Sequence, residues 1–361
     1  MLVMAYYSVI LVLSLICCCI YYWKKRNYYS VRYTLIFILA FLSHFCYVLL
    51  ALSRDVREAL IVNKFLYIGG CFFPLVGLFL VFSICKIRFP KWMHFALIAF
   101  SCLVYSCVLT AGYLPIFYKS VDLEVVNGVG VLKKEYGPLH VVYIVEIAFF
   151  LVATLFALVW GWLKKPEISR RHLAIAAFMQ VFSIFAYFIG RAITKDIEWM
   201  ALADLVDEVG FLIIMDRVGL YSVEDLVSSS ILKEGQFGYV SIDLKHRFLN
   251  ATAEAKKMLP AFSACHADRP VEDEELRKKI DGWIKDLEDV NVSKNHIFRN
   301  GDFIYTIRVS DLYDGRRKRG YLLEIMDDTA HQQQVASLES YYRNLNEELK
   351  EKDRIIRELR G

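Results

Sequence analysis

The sequence predicts a multidomain membrane protein: an all-α bundle of seven transmembrane helices, then an α+β domain, then a C-terminal coiled-coil helix. Three observations lead there. The apolar residues fall in runs of about 20, the length a helix needs to cross hydrocarbon. The charges divide unevenly, with 13 acidic and 20 basic residues in 1–221 and 26 acidic and 23 basic in 222–361. Near the end, apolar residues repeat at alternating spacings of three and four, a heptad signature. The reading gives a bundle over 1–221, a linker helix over 222–235, an α+β domain over 236–329 and a coiled-coil helix over 330–361.

The first apolar run, Met1–Trp23, closes on Lys24, Lys25 and Arg26. Its length and the lack of an A-x-A-type site favour a retained span over a signal peptide. Further runs cover about Val31–Leu52, Ile61–Cys85, Trp92–Tyr113, Leu139–Leu163 and Leu173–Ile193. Between the fourth and fifth, EVVNGVGVLKK sets an Asn-Gly pair among β-branched residues, which predicts a hairpin. The last run is Trp199–Tyr221, WMALADLVDEVGFLIIMDRVGLY. Loops after spans one, three and five carry most of the Lys and Arg. The positive-inside rule then puts the N-terminus outside and everything after 221 in the cytoplasm. Basic excess in this half reflects topology and gives no reason to expect nucleic-acid binding.

Eight of the nine cysteines sit in or beside the apolar runs, and Cys265 stands alone in the polar half. Without a CxxC pair or Cys/His spacing, they read as small hydrophobes, with neither a disulfide framework nor a metal site. Ionisable residues in spans are costly and mark interior or wet positions. Glu146 in span five, Arg191 ending span six, and Asp204, Asp207 and Glu208 in span seven are therefore the candidate ligand-binding residues. The three acids at i, i+3 and i+4 are expected on one helical face. Two readings stand: a polar pocket whose acids pair Arg191 or bind a cationic ligand, or a buried ion-pair network that fixes packing. His44 and His94 read as packing or interfacial residues.

In the polar half, FGYVSID and RFLN alternate as strands and ATAEAKKML as an amphipathic helix. Residues 272–288 set Leu276, Ile280, Trp283, Ile284 and Leu287 at helical spacing. Strand patterns return at NHIFRN, FIYTIRVSDLYD and GYLLEIMDD. In the tail, Val335, Leu338, Tyr342, Leu345, Leu349, Ile356 and Leu359 form the seam, broken by Lys352. This predicts a parallel dimeric coiled coil, and hence a homodimer, against the alternative of a lone amphipathic helix.

Two resemblances follow. The stretches NKFLYIGGCFFPLVGLFL, GPLHVVYIVEIAFF, SRRHLAIAAFMQ and DLVDEVGFLIIMDRVGLYSVEDL resemble the seven-transmembrane N-terminal sensor region of bacterial histidine kinases and diguanylate cyclases. One departure is that the family often opens its last span with Asp-x-x-Pro, where Asp204 here is followed by Asp207. GYVSIDLKHRFLNATAEAKKMLP and FIYTIRVSDLYDGRRKRGYLLEIMDDTAHQQQ resemble the two ends of a PAS domain, with Asp327 and Thr329 in the place of its closing Asp-x-Thr. That resemblance implies that Asp327 and Thr329 cap the exit helix and, with Leu338, Leu345, Leu349 and Ile356, relay the signal. PAS domains can bind haem, flavin or metabolites. The flavin-adduct cysteine motif is missing, and Cys265, His246, His266 and His296 lack a ligand pattern, so no cofactor is expected.

The resemblances imply a receptor for an extracellular or membrane-borne cue, surrounded by membrane lipid and acting on a cytoplasmic kinase or cyclase effector. No phosphoacceptor His in an acidic-Pro context, ATP-binding domain, Gly-Gly-Asp/Glu-Glu-Phe turn or Walker motif occurs, so no catalysis is expected within these residues. His331 lacks the phosphoacceptor context. The effector is expected in a partner or a downstream segment. The alternatives are a small-solute or ion transporter with a regulatory PAS domain, weakened by the lack of paired broken spans, and an inactive competitor that dimerises with kinases or cyclases.

Overall fold

The computed structural model describes residues 2–24, 31–87, 89–126, 128–165, 168–190, 197–218, 237–289, 295–314 and 317–360. The chain divides into two compact units, Met1–Gly219 and Leu220–Gly361. Arg191 and the whole 222–235 linker lie outside the described residues, and so does the side chain of Ile356.

The first unit is built from helices α1 (Leu2–Lys24), α2 (Val31–Leu52), α3 (Val56–Ile84) and α4 (Lys91–Leu109), a hairpin of β1 (Tyr118–Val126) and β2 (Val129–Tyr136), then α5 (His140–Lys164), α6 (Arg170–Phe188) and α7 (Met200–Val218). Among the described residues six helices, α1 to α6, are long and apolar enough to cross a membrane. Their outward residues are large and apolar, as Phe95, Val152 and Phe156 illustrate. In water such a surface would be a liability, but in lipid it is the expected one. α7 is of similar length yet carries Asp204, Asp207, Glu208, Asp216 and Arg217. It packs against α1, α2 and α6, so its neighbours shield it.

Several boundaries differ from the sequence reading. α3 starts at Val56, five residues before the apolar run, because Asp55 caps it by accepting the Arg57 amide at 2.9 Å. α4 stops at Leu109, and the chain turns through Gly112 at φ +80°. α6 begins at Arg170, so two residues read as loop charges open a helix instead, and Arg170 reaches back to the Trp162 carbonyl.

The hairpin is a wedge in the bundle. Tyr118 is buried, donates to the Tyr67 hydroxyl at 2.9 Å and accepts from the Asn63 amide at 3.2 Å. A Cβ at Gly130 would stand 2.5 Å from the Ser53 carbonyl, so glycine lets β2 lie against the end of α2.

The second unit is an antiparallel sheet with helices packed on it. Its elements are β3 (Phe237–Asp243), β4 (Arg247–Ala251), α8 (Ala253–Met258), α9 (Ala261–Ala264), β5 (Arg269–Pro270), α10 (Glu274–Glu288), β6 (Asn295–Asn300), β7 (Phe303–Asp314), β8 (Arg317–Asp327) and α11 (Thr329–Arg360). The sheet order is β5-β4-β3-β8-β7-β6. Asp243 makes the first turn: its Oδ1 accepts the amides of Lys245 (2.8 Å) and Arg247 (2.9 Å), while Oδ2 holds the Arg247 guanidinium. Thr252 caps α8, and Asp273 caps α10 through the Leu276 amide. The predicted stripe of α10 (Leu276, Ile280, Trp283 and Ile284) is buried with Ile307, Val309, Leu323 and Ile325 of the sheet.

Gly320 fits where β3 meets β8, and a Cβ there would sit 2.0 Å from the Ile242 carbonyl. Because backbone cannot yield as a side chain can, Gly320→Ala is expected to destabilise this unit by ~1–3 kcal/mol. Hydrogen exchange of the full chain checks it, with faster exchange in β3 and β8 and unchanged exchange in α1 to α6.

Candidate functional site

Five helices of the first unit surround a cavity of about 160 Å³. Its walls come from α2, α3, α5, α6 and α7, with Lys134 reaching in from the hairpin. The space has a local cause. α3 contains Pro74, which has no N–H to give the carbonyl one turn back and so interrupts the helix ladder. Gly69, Gly70 and Gly77 also line the cavity; a side chain at Gly77 would enter open space, whereas a Cβ at Gly70 would meet the Tyr143 hydroxyl at 2.7 Å. A Cβ on Gly69 would meet the Ser43 hydroxyl at 1.9 Å, a measure of how closely α2 approaches.

Asp204 and Asp207 of α7 both line this cavity. Asp204 is 8% exposed. Asp207 accepts the Ser183 hydroxyl from α6 on Oδ2 at 3.3 Å, while its buried Oδ1 accepts nothing. Glu208 does not line the cavity. It is fully buried on the other flank of α7, with His44 Nδ1 of α2 at 3.8 Å from Oε2 and Cys18 of α1 at 3.9 Å from Oε1. The acidic face expected from the i, i+3, i+4 spacing is therefore divided. Asp207 and Glu208 lie on opposite sides of Asp204, about 100° apart on the helix, and each meets different neighbours. Glu146 is also buried outside the cavity wall, beside Cys71 and Ser101.

Sequence reasoning missed three participants. His44 does more than pack: its Nε2 lies 2.9 Å from the Ala201 carbonyl, tying α2 to the first turn of α7. Lys134 and His140 line the cavity but come from the hairpin and the start of α5. Their signal was available in the hairpin pattern, where a basic residue sits among the inward-facing positions of β2.

In the second unit, the residues at the sheet-to-helix junction form a compact polar cluster. Thr329 opens α11 and is tied at both ends. Its amide donates to Asp327 Oδ1 at 3.0 Å, its hydroxyl donates to the same oxygen at 2.5 Å, and its Oγ1 accepts the Ile304 amide at 2.9 Å. Asp328 adds bonds from the Thr306 hydroxyl (3.0 Å) and the Gln332 amide (2.8 Å). The first turn of α11 is thus held to β7 as well as to the end of β8. Further along α11, Leu338, Tyr342, Leu345 and Leu349 are exposed in the single chain. Cys265 is buried, and burial raises its thiol pKa, which argues against a reactive thiolate. His296 is stacked on Trp283, and burial lowers its pKa, favouring the neutral ring.

A bundle of apolar helices long enough to cross a membrane, followed in sequence by a separate sheet unit, defines a multi-pass membrane protein. The family model described as the N-terminal 7TM region of histidine kinase matches residues 7–222, more than half of the chain, and the chain belongs to that family. The match supports a membrane sensor of histidine-kinase type. No curated protein matches the sequence.

Thr329→Val keeps the shape of the junction but leaves the Ile304 amide without its acceptor. It is expected to cost ~1–3 kcal/mol, read as faster exchange at Ile304 and fraying of the first turn of α11, with Thr329→Ser restoring protection.

Proposed function

We propose that the chain is an integral-membrane receptor and transducer. An extracellular or membrane-borne ligand enters the cavity of the first unit, shifts α7, and changes the output of a cytoplasmic effector through the second unit. In this reading α7 is a seventh span, the N-terminus lies outside, and the second unit and C-terminus lie in the cytoplasm. The loop charges support that orientation.

The observation that carries the proposal is the position of α7. It is the last helix of the matched sensor region, it supplies Asp204 and Asp207 of the cavity wall, and in sequence it leads into the second unit. A helix that feels the cavity and continues toward an output domain is a two-state element that a ligand can bias.

The second unit reads best as a PAS domain working as a relay without a cofactor. Two strands, then helices flanking the short β5, then three strands support it, and so does the Asp327–Thr329 cluster that ties the domain to its exit helix. The exposed seam of α11 is read as a parallel coiled coil between two copies of the chain. An apolar stripe of Leu338, Leu345 and Leu349 needs burial, and charged Glu347, Glu348 and Lys350 suit its outer positions. The effector is of histidine-kinase or diguanylate-cyclase type, in a partner or a downstream domain. The chain itself is read as non-catalytic.

The test is a fusion of a histidine-kinase core in frame after Arg360. The double variant Asp204→Asn with Asp207→Asn is expected to change autophosphorylation by on the order of 5-fold or more, the lower range of allosteric coupling, at unchanged membrane abundance. Unchanged kinase output would contradict the relay. So would substrate flux by the full chain in liposomes, which belongs to a transporter.

A further inference from the structure

The cavity has a definite chemistry. Asp204 is more than nine-tenths buried, lines the space, and among the described residues accepts no hydrogen bond and makes no ion pair. Asp207 beside it has one buried oxygen with no donor. Gly70 and Pro74 line the same space, and because Pro74 has no N–H, the Gly70 carbonyl lacks its helical donor. Asp204 and the Oδ1 of Asp207 thus remain without donors in a buried site where unmet polar groups are costly, although Lys134, His140 and Gln180 line the same space.

The remaining walls are rings and aliphatic groups. Tyr47, Tyr67, Phe73, Tyr143 and Phe211 all contribute. Ring faces attract cations, and one case already occurs here: the Lys134 ammonium sits 6.0 Å from the Tyr67 ring centroid and 5.8 Å from that of Tyr118. Room is available too, since a Cβ added at Gly77 meets nothing within 4 Å.

We infer that this cavity binds a small organic ammonium, its N–H donors on the carboxylates of Asp204 and Asp207 and its apolar body against the rings of α3 and α5. The inference names the ligand class of the proposed receptor site and rests on that reading for its signalling role. An anionic ligand would meet the carboxylates of Asp204 and Asp207, against which the wall sets Lys134 and His140. Among the described residues no group of three or more His, Cys, Asp or Glu is placed to hold a metal ion. The aromatic walls also suit an organic body better than a hydrated ion.

The experiment uses the full chain in lipid nanodiscs and three probes of one skeleton: phenethylammonium, phenethyl alcohol and phenylpropanoate. Calorimetric titration is expected to show the ammonium bound at least about tenfold more tightly than the alcohol, with no binding of the carboxylate. Asp204→Asn and Asp207→Asn should each erase that preference, and Asp207→Glu should keep it. Gly77→Leu should block ammonium and alcohol alike by occupying the space, and it serves independently if an Asn variant fails to reach the membrane. Carboxylate binding equal to that of the ammonium would overturn the inference. Ammonium binding that survives Gly77→Leu or both Asn variants, or no saturable ammonium binding at all, would also overturn it. Loss of the ammonium preference while the kinase fusion still responds to the acids overturns the ligand class alone. Intact ammonium binding with an unresponsive fusion overturns the receptor reading alone.

Discussion

Burying carboxylates in an apolar bundle is the constraint on which the first unit depends. A carboxylate taken out of water costs several kcal/mol unless something replaces its hydration. α7 brings three of them among α1, α2 and α6. Glu208 takes a hydrogen bond from Cys18 on Oε1, while its Oε2 lies 3.8 Å from the Nδ1 of His44 without a hydrogen bond, the other nitrogen of that ring being held at the Ala201 carbonyl. Asp207 has Ser183, and both Asp204 and Asp207 open on a cavity. The glycines and proline of α3 belong to the same solution, since they keep that cavity open. Remove the acids and the open space in the bundle loses its chemical reason.

The second unit answers a different problem, which is how to fasten a long exposed helix to a sheet. α11 runs from Thr329 to Arg360, and α10 covers part of the sheet face. The fastening is therefore polar and local. Asp327, Asp328 and Thr329 bond to Ile304, Thr306 and Gln332, so the first turn of α11 moves with β7 and β8. An apolar contact would allow sliding, whereas bonds of fixed direction resist rotation. Such a junction suits a helix whose orientation carries information.

Much of this was legible in the sequence for simple reasons. Spans one to six follow from runs of apolar residues, and the strands of the second unit from alternation; FIYTIRVSDLYD coincides with β7. Helix ends were less legible because caps decide them. Asp55 draws α3 back into a charged stretch, and Arg170 begins a helix where loop charges were expected. The candidate site was half legible. Spacing identified the acids of α7 but could not show that Asp204 and Asp207 share a cavity while Glu208 faces His44. That depends on which helices flank α7, a tertiary fact. Glu146 illustrates the same limit: it is an intramembrane acid like the others, yet it packs beside Cys71 and Ser101 outside the cavity wall.

The central claim is that α7 stands in the membrane with one face toward a polar cavity that opens on the hairpin side and the other toward lipid or packed side chains. Single cysteines placed along α7 in a cysteine-free background, in sealed vesicles, test it directly. With a membrane-impermeant thiol reagent on the hairpin side, Asp204→Cys and Asp207→Cys are predicted to react, while Val209→Cys and Ile213→Cys, on the apolar exposed face, are not. Equal reactivity at all four positions, or reaction only at 209 and 213, would contradict the account.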